Sequence, residues 1–436
     1  MNQGDRILDH FDNAELPYTH INAATKLHVL IPASRSNPNL CKTTMSLQLL
    51  GYPTPTFMGW DERFEDENQV DGGARLGTKV IYALHSVLKN PAHDDDLVLI
   101  ADGYDTWFQL PPDVLIHRFN QMNRAANVRL AQRAGKRALR SSKISQKIVF
   151  GARRSCDSAR VHGVRCDMAP EPPSPIEWYA DSPDNIIANT QYNVNPPRFL
   201  DSGYIMGRMI DVRTLLIRAK EIVDTTPNAE YAYDGSAQPI FNRIFNDQET
   251  QRNRWYHKLI PSVLPHQSEF GIGIDYFSEL SHSTFDSEKD AEYLTYSSSG
   301  DVEMLAPTNS PLKSQLSGHY LSDCALNLPT TLPHDIATSS PPSINSTFTT
   351  WNNLPLLTNL CTGTIPVLIH HNGMKTARES TWENIWFAPY AKEMLRMIDG
   401  AAGGWTDTRK WIEWDELCPK EWESVLFPGA GRGGRG

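Results

Sequence analysis

The sequence predicts an α/β protein built on a mostly parallel sheet, and three features carry that reading. The runs "KLHVLIPAS" (26–34) and "LVLIA" (97–101) are short and almost wholly apolar, as strands buried on both faces are. Stretches of helical spacing lie between such runs; "GTKVIYALHSVLKN" (77–90) is apolar at Val80, Leu84, Val87 and Leu88. Alternation of this kind lays crossover helices over a parallel sheet. Composition agrees: 436 residues, 40% hydrophobic and 21% charged, supply one large or two ordinary domains with a substantial core.

Along the chain, residues 1–25 read as a polar, acidic extension without the basic start and apolar run of a signal peptide. The core is expected over 26–276. Its first strand leads through a polar loop to an amphipathic helix, "CKTTMSLQLLGY" (41–52), and then to a second strand, "PTPTFMGW" (53–60). The helix at 77–90 and the strand at 97–101 follow. Another helix spans 112–125, and "KIVFGA" (147–152) is a fourth strand. Between these two lies a basic stretch, 128–147, with Arg129, Arg133, Lys136, Arg137, Arg140, Lys143 and Lys147. It reads as a solvated helix in an insertion, with an acidic or phosphate-rich partner as the alternative. "FLDSGYIMGRMIDVRTLL" (199–216) predicts a strand, a turn at Gly207 and a helix. Residues 277–360 lose periodicity and fill with Ser, Thr and Pro, which predicts a long irregular insertion. Order is expected to return over 361–427, with "TIPVLIHHNG" (364–373) as a strand before a Trp-rich tail. The final stretch, 428–436, is Gly- and Arg-rich; its GxGxxG match at Gly431, Gly433 and Gly436 has no strand before it, so it reads as a flexible tail.

The formal net charge of −10 argues against nucleic acid as a partner. No stretch approaches the ~18 apolar residues of a membrane span. Six cysteines without a CxxC pair disfavour zinc-ribbon chemistry, while their even number and the sequon Asn345-Ser346-Thr347 suit an oxidising compartment. The compartment stays open at this level: the secretory lumen if an N-terminal anchor is missing, otherwise the cytoplasm.

In "LVLIADGYDTWF" a buried strand delivers Asp102 and Asp105. Ligands of parallel α/β sheets bind beyond the carboxyl ends of the strands. Two neighbouring carboxylates repel, so the pair suits a divalent cation whose remaining ligands come from a diphosphate and water. The plainer alternative is a cap at Asp102 and a turn at Asp105. His370 closes another apolar strand and is expected at the same edge of the sheet, completing a set of two carboxylates and one imidazole. That set suits Mn²⁺, with Mg²⁺ the harder substitute. His371 should point to the opposite face. A phosphohydrolase reading needs its second acid two residues after the first, whereas here the spacing is three.

"GGARLGTKVIYALHSVLKN…DDDLVLIADGYDTWF" resembles the glycosyltransferase domain of the procollagen-lysine hydroxylases and related collagen sugar transferases. Later blocks follow in the family's order: "IVFGARRSC", "FLDSGYIMG", "AQPIFNRIF" and "IPVLIHHNGMK". The resemblance implies a GT-A-like nucleotide-sugar-binding fold, a UDP-sugar donor, a hydroxyl acceptor on protein or glycan, and Mn²⁺. It implies that Asp102, Asp105 and His370 hold the metal. It places Lys79 near the donor phosphates, and Tyr104, Ser202, Gly203, Gln238, Asn372 and Gly373 around the donor. Two departures stand out. The family's acid pair before Gln is Ser236-Ala237, which leaves Asp201 and Asp234 as candidate catalytic acids. The family's Trp after Cys is Asp157, which leaves Trp178 or Tyr104 to stack on the base. The expected activity is hexose transfer from a UDP-sugar. The alternatives are a glycosyltransferase-like scaffold without turnover and a nucleotide-sugar hydrolase.

Overall fold

An eight-stranded sheet organises the chain, and its strands are short, apolar and mostly parallel. The computed structural model describes residues 25–61, 81, 84, 85, 88, 91–135, 144–156, 166–173, 196–225, 237–257, 268–297, 302–304, 329–342, 350–373, 375–398 and 402–428. In chain order these form β1 (Leu27–Pro32), α1 (Pro38–Leu49), β2 (Thr56–Met58), β3 (Leu97–Ala101), β4 (Thr106–Phe108), α2 (Pro112–Ala134), β5 (Ile148–Arg153) and β6 (Phe199–Arg208). There follow α3 (Met209–Thr225), α4 (Gln238–Tyr256), β7 (Ile272–Ile274), β8 (Ser281–Ser283), β9 (Ala291–Tyr296), β10 (Val302–Met304) and α5 (His334–Thr338). The chain then continues through β11 (Leu356–Asn359), β12 (Leu368–His370), α6 (Lys375–Asn384), α7 (Ala391–Met397), β13 (Gly403–Thr406) and β14 (Trp411–Glu413).

The main sheet runs β14-β13-β2-β1-β3-β6-β5-β7. Only β6 and β14 oppose the other strands, so the mostly parallel α/β sheet read from the sequence is present. Strand β3 shows why its sequence is continuously apolar. Leu97, Leu99 and Ala101 enter one buried cluster, Val98 and Ile100 the cluster on the other face. Each of the Leu, Val and Ile side chains contributes about 1.5–3 kcal/mol through removal from water.

Helix α1 starts earlier than its apolar pattern indicates, because the side chain of Asn37 accepts a hydrogen bond from Leu40 N at 2.9 Å with Pro38 in the first turn. Both the Leu40 and Cys41 faces are buried, and the disulfide Cys41–Cys418 ties the helix to the carboxyl-terminal segment. A second disulfide joins Cys156 to Cys166, and Cys361 is also disulfide-bonded. The first bridge closes a loop of sequence separation 377, so it restricts the unfolded chain strongly. Replacing Cys41 and Cys418 together with serine is expected to lower stability by about 2–5 kcal/mol. Urea unfolding measures it, and an unshifted midpoint would show that the bridge stabilises nothing.

Three sequence expectations are corrected. Gly207 is no turn: β6 runs through it, paired with Val98, and α3 begins two residues later at Met209. Its missing side chain serves packing, since a Cβ would stand 2.9 Å from Val212 Cγ2 and 3.1 Å from Ile148 Cγ1. The basic stretch at 128–147 does not begin an insertion, because α2 continues unbroken to Ala134 and carries Arg129 and Arg133. The 277–360 region is ordered in part. It supplies β8, the three-stranded sheet β10-β9-β11 and α5. Pairing of β9 with β11 joins segments about sixty residues apart, which local periodicity does not register. One side chain gathers much of this region: Arg118 of α2 donates to Glu279 O at 2.8 Å, Ile365 O at 2.5 Å and Asp335 Oδ2 at 2.5 Å. The extension over 1–24 and the tail over 429–436 lie outside the described residues. Among the described residues no helix is long and apolar enough to cross a membrane.

Candidate metal centre at the carboxyl end of β3

The ladder between β3 and β6 extends one bond past the strand, with Asp102 N donating to Gly203 O at 3.0 Å. The chain then turns tightly against the end of β1. Only glycine fits at 103, where a Cβ would lie 2.7 Å from Pro32 O and 2.8 Å from Ile31 Cγ2. Tyr104 pins the turn from outside: its hydroxyl accepts from Ser34 N and Arg35 N, at 2.9 and 3.1 Å, and donates to Arg35 O at 2.9 Å. With its hydroxyl engaged in this way, Tyr104 is a tether for the acid-bearing turn.

After Asp105 the chain leaves the main sheet as β4 and pairs antiparallel with β12 in a small sheet, β4-β12-β8. His370 therefore does not lie on the main sheet, as its apolar strand suggests. It reaches the acids because the register sets it opposite Thr106, one residue beyond Asp105, and His371 N donates to Asp105 O at 2.6 Å. The ligand atoms of Asp102, Asp105 and His370 all lie within 4.8 Å of one another. His370 Nε2 stands 3.4 Å from Asp105 Oδ1, and that oxygen is buried without a hydrogen-bond partner.

Behind the triad, Asp201 fixes the imidazole. Its Oδ2 accepts from His370 Nδ1 at 3.0 Å and from Asn372 Nδ2 at 2.9 Å, while Oδ1 accepts from Gly203 N at 3.1 Å. Asp201 is 4% exposed and both its oxygens are occupied. Asp201, expected as a candidate catalytic acid, is bound to His370 in the carboxylate–histidine arrangement common beside metals. Gly203 lies under the ring, where a Cβ would be 2.0 Å from His370 Cε1. The opposite side of Asn372 accepts from Ser283 Oγ and Phe285 N, each at 3.0 Å. Gly373 N donates to Thr284 Oγ1 at 3.0 Å, so this pair secures the segment after β8. Gln238 locks α4 to β6, accepting from Ser202 N at 2.7 Å and donating to Leu200 O at 2.7 Å. His371 turns the other way, with its ring 4.1 Å from that of Trp107. Lys79, Asp157, Trp178, Asp234 and Ser236 lie outside the described residues. One site residue carried no sequence signal: Arg378 of α6 donates to Tyr104 O at 3.3 Å, setting a guanidinium against the turn between the two acids.

Burial, reinforced by the neighbouring Asp105 carboxylate, pushes the Asp102 carboxyl up to about 7. Burial alone would lower the His370 imidazole, yet the carboxylates of Asp201 and Asp105 hold it well above its ordinary value. Burial alone would also raise Asp201, but the charge and hydrogen bond of His370, with Arg153 and Gly203 N, hold it well below the usual carboxylate range. The triad is thus an acid-rich cluster, half-buried at its two carboxylates and buried at His370, and a divalent cation would satisfy the same electrostatic demand. A set of two carboxylates and one imidazole, with one carboxylate oxygen unpartnered, fits a Mn²⁺-class ion.

A pH dependence follows. Asp102 and His370 both bind protons more tightly folded than unfolded, from ordinary values of 3.8 and 6.5. Without metal, their contribution to stability is full at low pH. It declines as pH rises from about 4 through 7 for Asp102, and above about 6.5 for His370. The depressed Asp201 contributes fully above its ordinary 3.8 and does not oppose this trend. A cation takes only deprotonated ligands, so its stabilisation grows over the same interval. The gap between melting temperatures with and without Mn²⁺ is expected to widen between about pH 5.5 and 8. A gap that ignores pH would place metal binding elsewhere.

Comparison of the chain with protein-family models and with curated proteins finds no match in either.

Proposed function

We propose that the protein is a metal-dependent glycosyltransferase of GT-A-like fold that moves a hexose from a UDP-sugar to a hydroxyl acceptor on protein or glycan. The observation that carries this reading is the convergence of Asp102, Asp105 and His370 at the carboxyl end of a central strand of a mostly parallel sheet. These three residues would hold the ion. A bound Mn²⁺, or Mg²⁺ in its place, neutralises charge developing on a departing diphosphate. Asp201 keeps the His370 Nε2 turned toward the two acids by holding the other ring nitrogen. Arg378, with its Nε buried and unpartnered, supplies a further positive charge at the same turn for the donor's phosphates, a role the family resemblance gives to Lys79. The disulfides support the secretory lumen as the compartment.

Incubating the protein with Mn²⁺ and a panel of UDP-sugars, and following UDP release with and without hydroxyl acceptors, tests the reading. Acceptor-stimulated release is expected. Release indifferent to acceptor would mark a hydrolase, and donor binding without release would mark a scaffold.

A further inference from the structure

We propose that His28, His93 and Asp96 form a second metal site, at the opposite end of the sheet, selective for zinc-class transition ions. The inference is independent of the proposed transferase activity. Leu27 of β1 pairs with Leu97 of β3 and His28 with Val98, so His28 at the start of β1 and Asp96 just before β3 share the amino-terminal edge. Asp96 is held there by its neighbours: Lys26 N donates to its Oδ1 at 3.0 Å, and its backbone carbonyl accepts from Met209 N at 2.8 Å. His93 ends a single 3₁₀ turn, Pro91–His93, closed by Asp94 N donating to Pro91 O at 3.2 Å, and Asp96 N donates to His93 O at 3.0 Å in the turn that follows.

Two imidazoles converge on one carboxylate oxygen. His28 Nε2 lies 2.8 Å and His93 Nδ1 2.9 Å from Asp96 Oδ2. The two rings meet edge to face, centroids 5.2 Å apart, and the three ligand atoms all lie within 4.8 Å of one another. Zinc bonds of about 2.0–2.1 Å in a tetrahedron set neighbouring ligand atoms about 3.3 Å apart. The present separations need open by only about half an ångström to admit the ion. Both histidines can make that adjustment, being 30% and 42% exposed, and the same exposure admits an ion and a water as fourth ligand. Asp96 is 15% exposed and anchored, so the site has one rigid ligand and two adjustable ones. The neighbouring acids are not competing ligands of the same kind: Asp94 is paired with Arg213, and Asp95 is 92% exposed beside Arg208.

The donor set decides the metal. Two imidazoles and one carboxylate favour zinc, cobalt, nickel or copper over magnesium, whereas the Asp102 site is richer in hard oxygen. Six residues of nearly extended chain, about 20 Å, separate Asp96 from Asp102, so the two sets cannot share an ion. An ion here would clamp the starts of β1 and β3 together where α3 also begins.

The test titrates the metal-stripped full chain with Co²⁺, following visible d–d absorption, and then displaces it with Zn²⁺. One Co²⁺ equivalent with tetrahedral-type bands is expected to resist excess Mg²⁺ and to survive His370→Ala. It should be lost, with affinity lowered at least about 100-fold, in both His93→Ala and Asp96→Asn. His93 is exposed enough for its variant to fold, which far-ultraviolet circular dichroism checks. If no Co²⁺ equivalent with tetrahedral-type bands binds to His370→Ala, or if those bands persist in folded His93→Ala, the cluster is only a carboxylate hydrogen-bonded to two imidazoles and the proposal is overturned.

Discussion

Replacing Gly203 with alanine is expected to abolish metal binding at the Asp102 site while leaving every ligand in the chain. The new methyl group would fall 2.0 Å from Cε1, 2.3 Å from Nε2 and 2.5 Å from Nδ1 of His370. Carbon atoms in contact stand about 3.5–4.0 Å apart, so ring or strand must yield by more than an ångström. Neither does so easily. The ring is held by Asp201 on one nitrogen and faces Asp105 on the other, and the strand around residue 203 is fixed by Asp102 N on Gly203 O and by pairing of Asp201 and Ile205 with β5 on either side of a bulge. Overpacking of this kind costs about 1–3 kcal/mol of stability. The larger consequence is geometric, because a ligand displaced by an ångström no longer meets the ion. Mn²⁺ affinity measured by calorimetry should fall at least about 100-fold, alongside a lowered urea midpoint. Gly203→Ala binding Mn²⁺ like the parent would remove His370 from the ligand set.

The adjacent histidines should separate function from stability. His370→Ala is expected to eliminate Mn²⁺-supported UDP release. His371→Ala should retain most of the release per folded molecule and lose about 2–4 kcal/mol of stability. His371 is 5% exposed, packed at a tilt against Trp107, and burial keeps its ring neutral by lowering its pKa well below the ordinary value. Removing it opens a cavity beside the Trp107–Trp382 pair, whose rings are 5.1 Å apart. Activity should be normalised to the folded fraction, since His370→Ala leaves a buried Asp201 without its principal partner. Equal loss of specific activity in both variants would sink the assignment.

The parts of this molecule legible in the sequence are those encoded locally. An unbroken apolar run ending in two acids places Asp102 and Asp105 at the end of a buried strand, and alternate burial of β3 in two clusters is the physical form of that run. The alternation of strand and helix likewise gives the mostly parallel sheet. His370 is legible as a strand-end histidine, but its route to the acids is not. That depends on β4 departing from the main sheet and on a register between residues more than 260 apart. Asp201 reads as a free acid because a sequence does not show hydrogen-bond saturation; three bonds converge on it from residues 203, 370 and 372. The same holds for Asn372 and Gly373, whose hydrogen bonds to Asp201, Ser283, Phe285 and Thr284 have no trace in the local sequence. His28 and His93 offer no signal at all, since 65 residues separate two histidines that share one carboxylate.

The position of β13 has a consequence for biosynthesis. It pairs with β2 in parallel, with Trp405 opposite Thr56, so the flank of one of the earliest strands is covered by one of the latest. A ribosome adding about 5–20 residues per second needs roughly 20–70 s to reach β13 after releasing β2. Throughout that interval the nascent chain presents an unpaired strand edge, the surface on which growing chains aggregate or recruit chaperones. The link between Cys41 and Cys418 can form only after the same delay, so oxidation of this pair comes late in folding. A polypeptide stalled before residue 403 should therefore stay protease-sensitive around β2 and hold Cys41 as a reactive thiol.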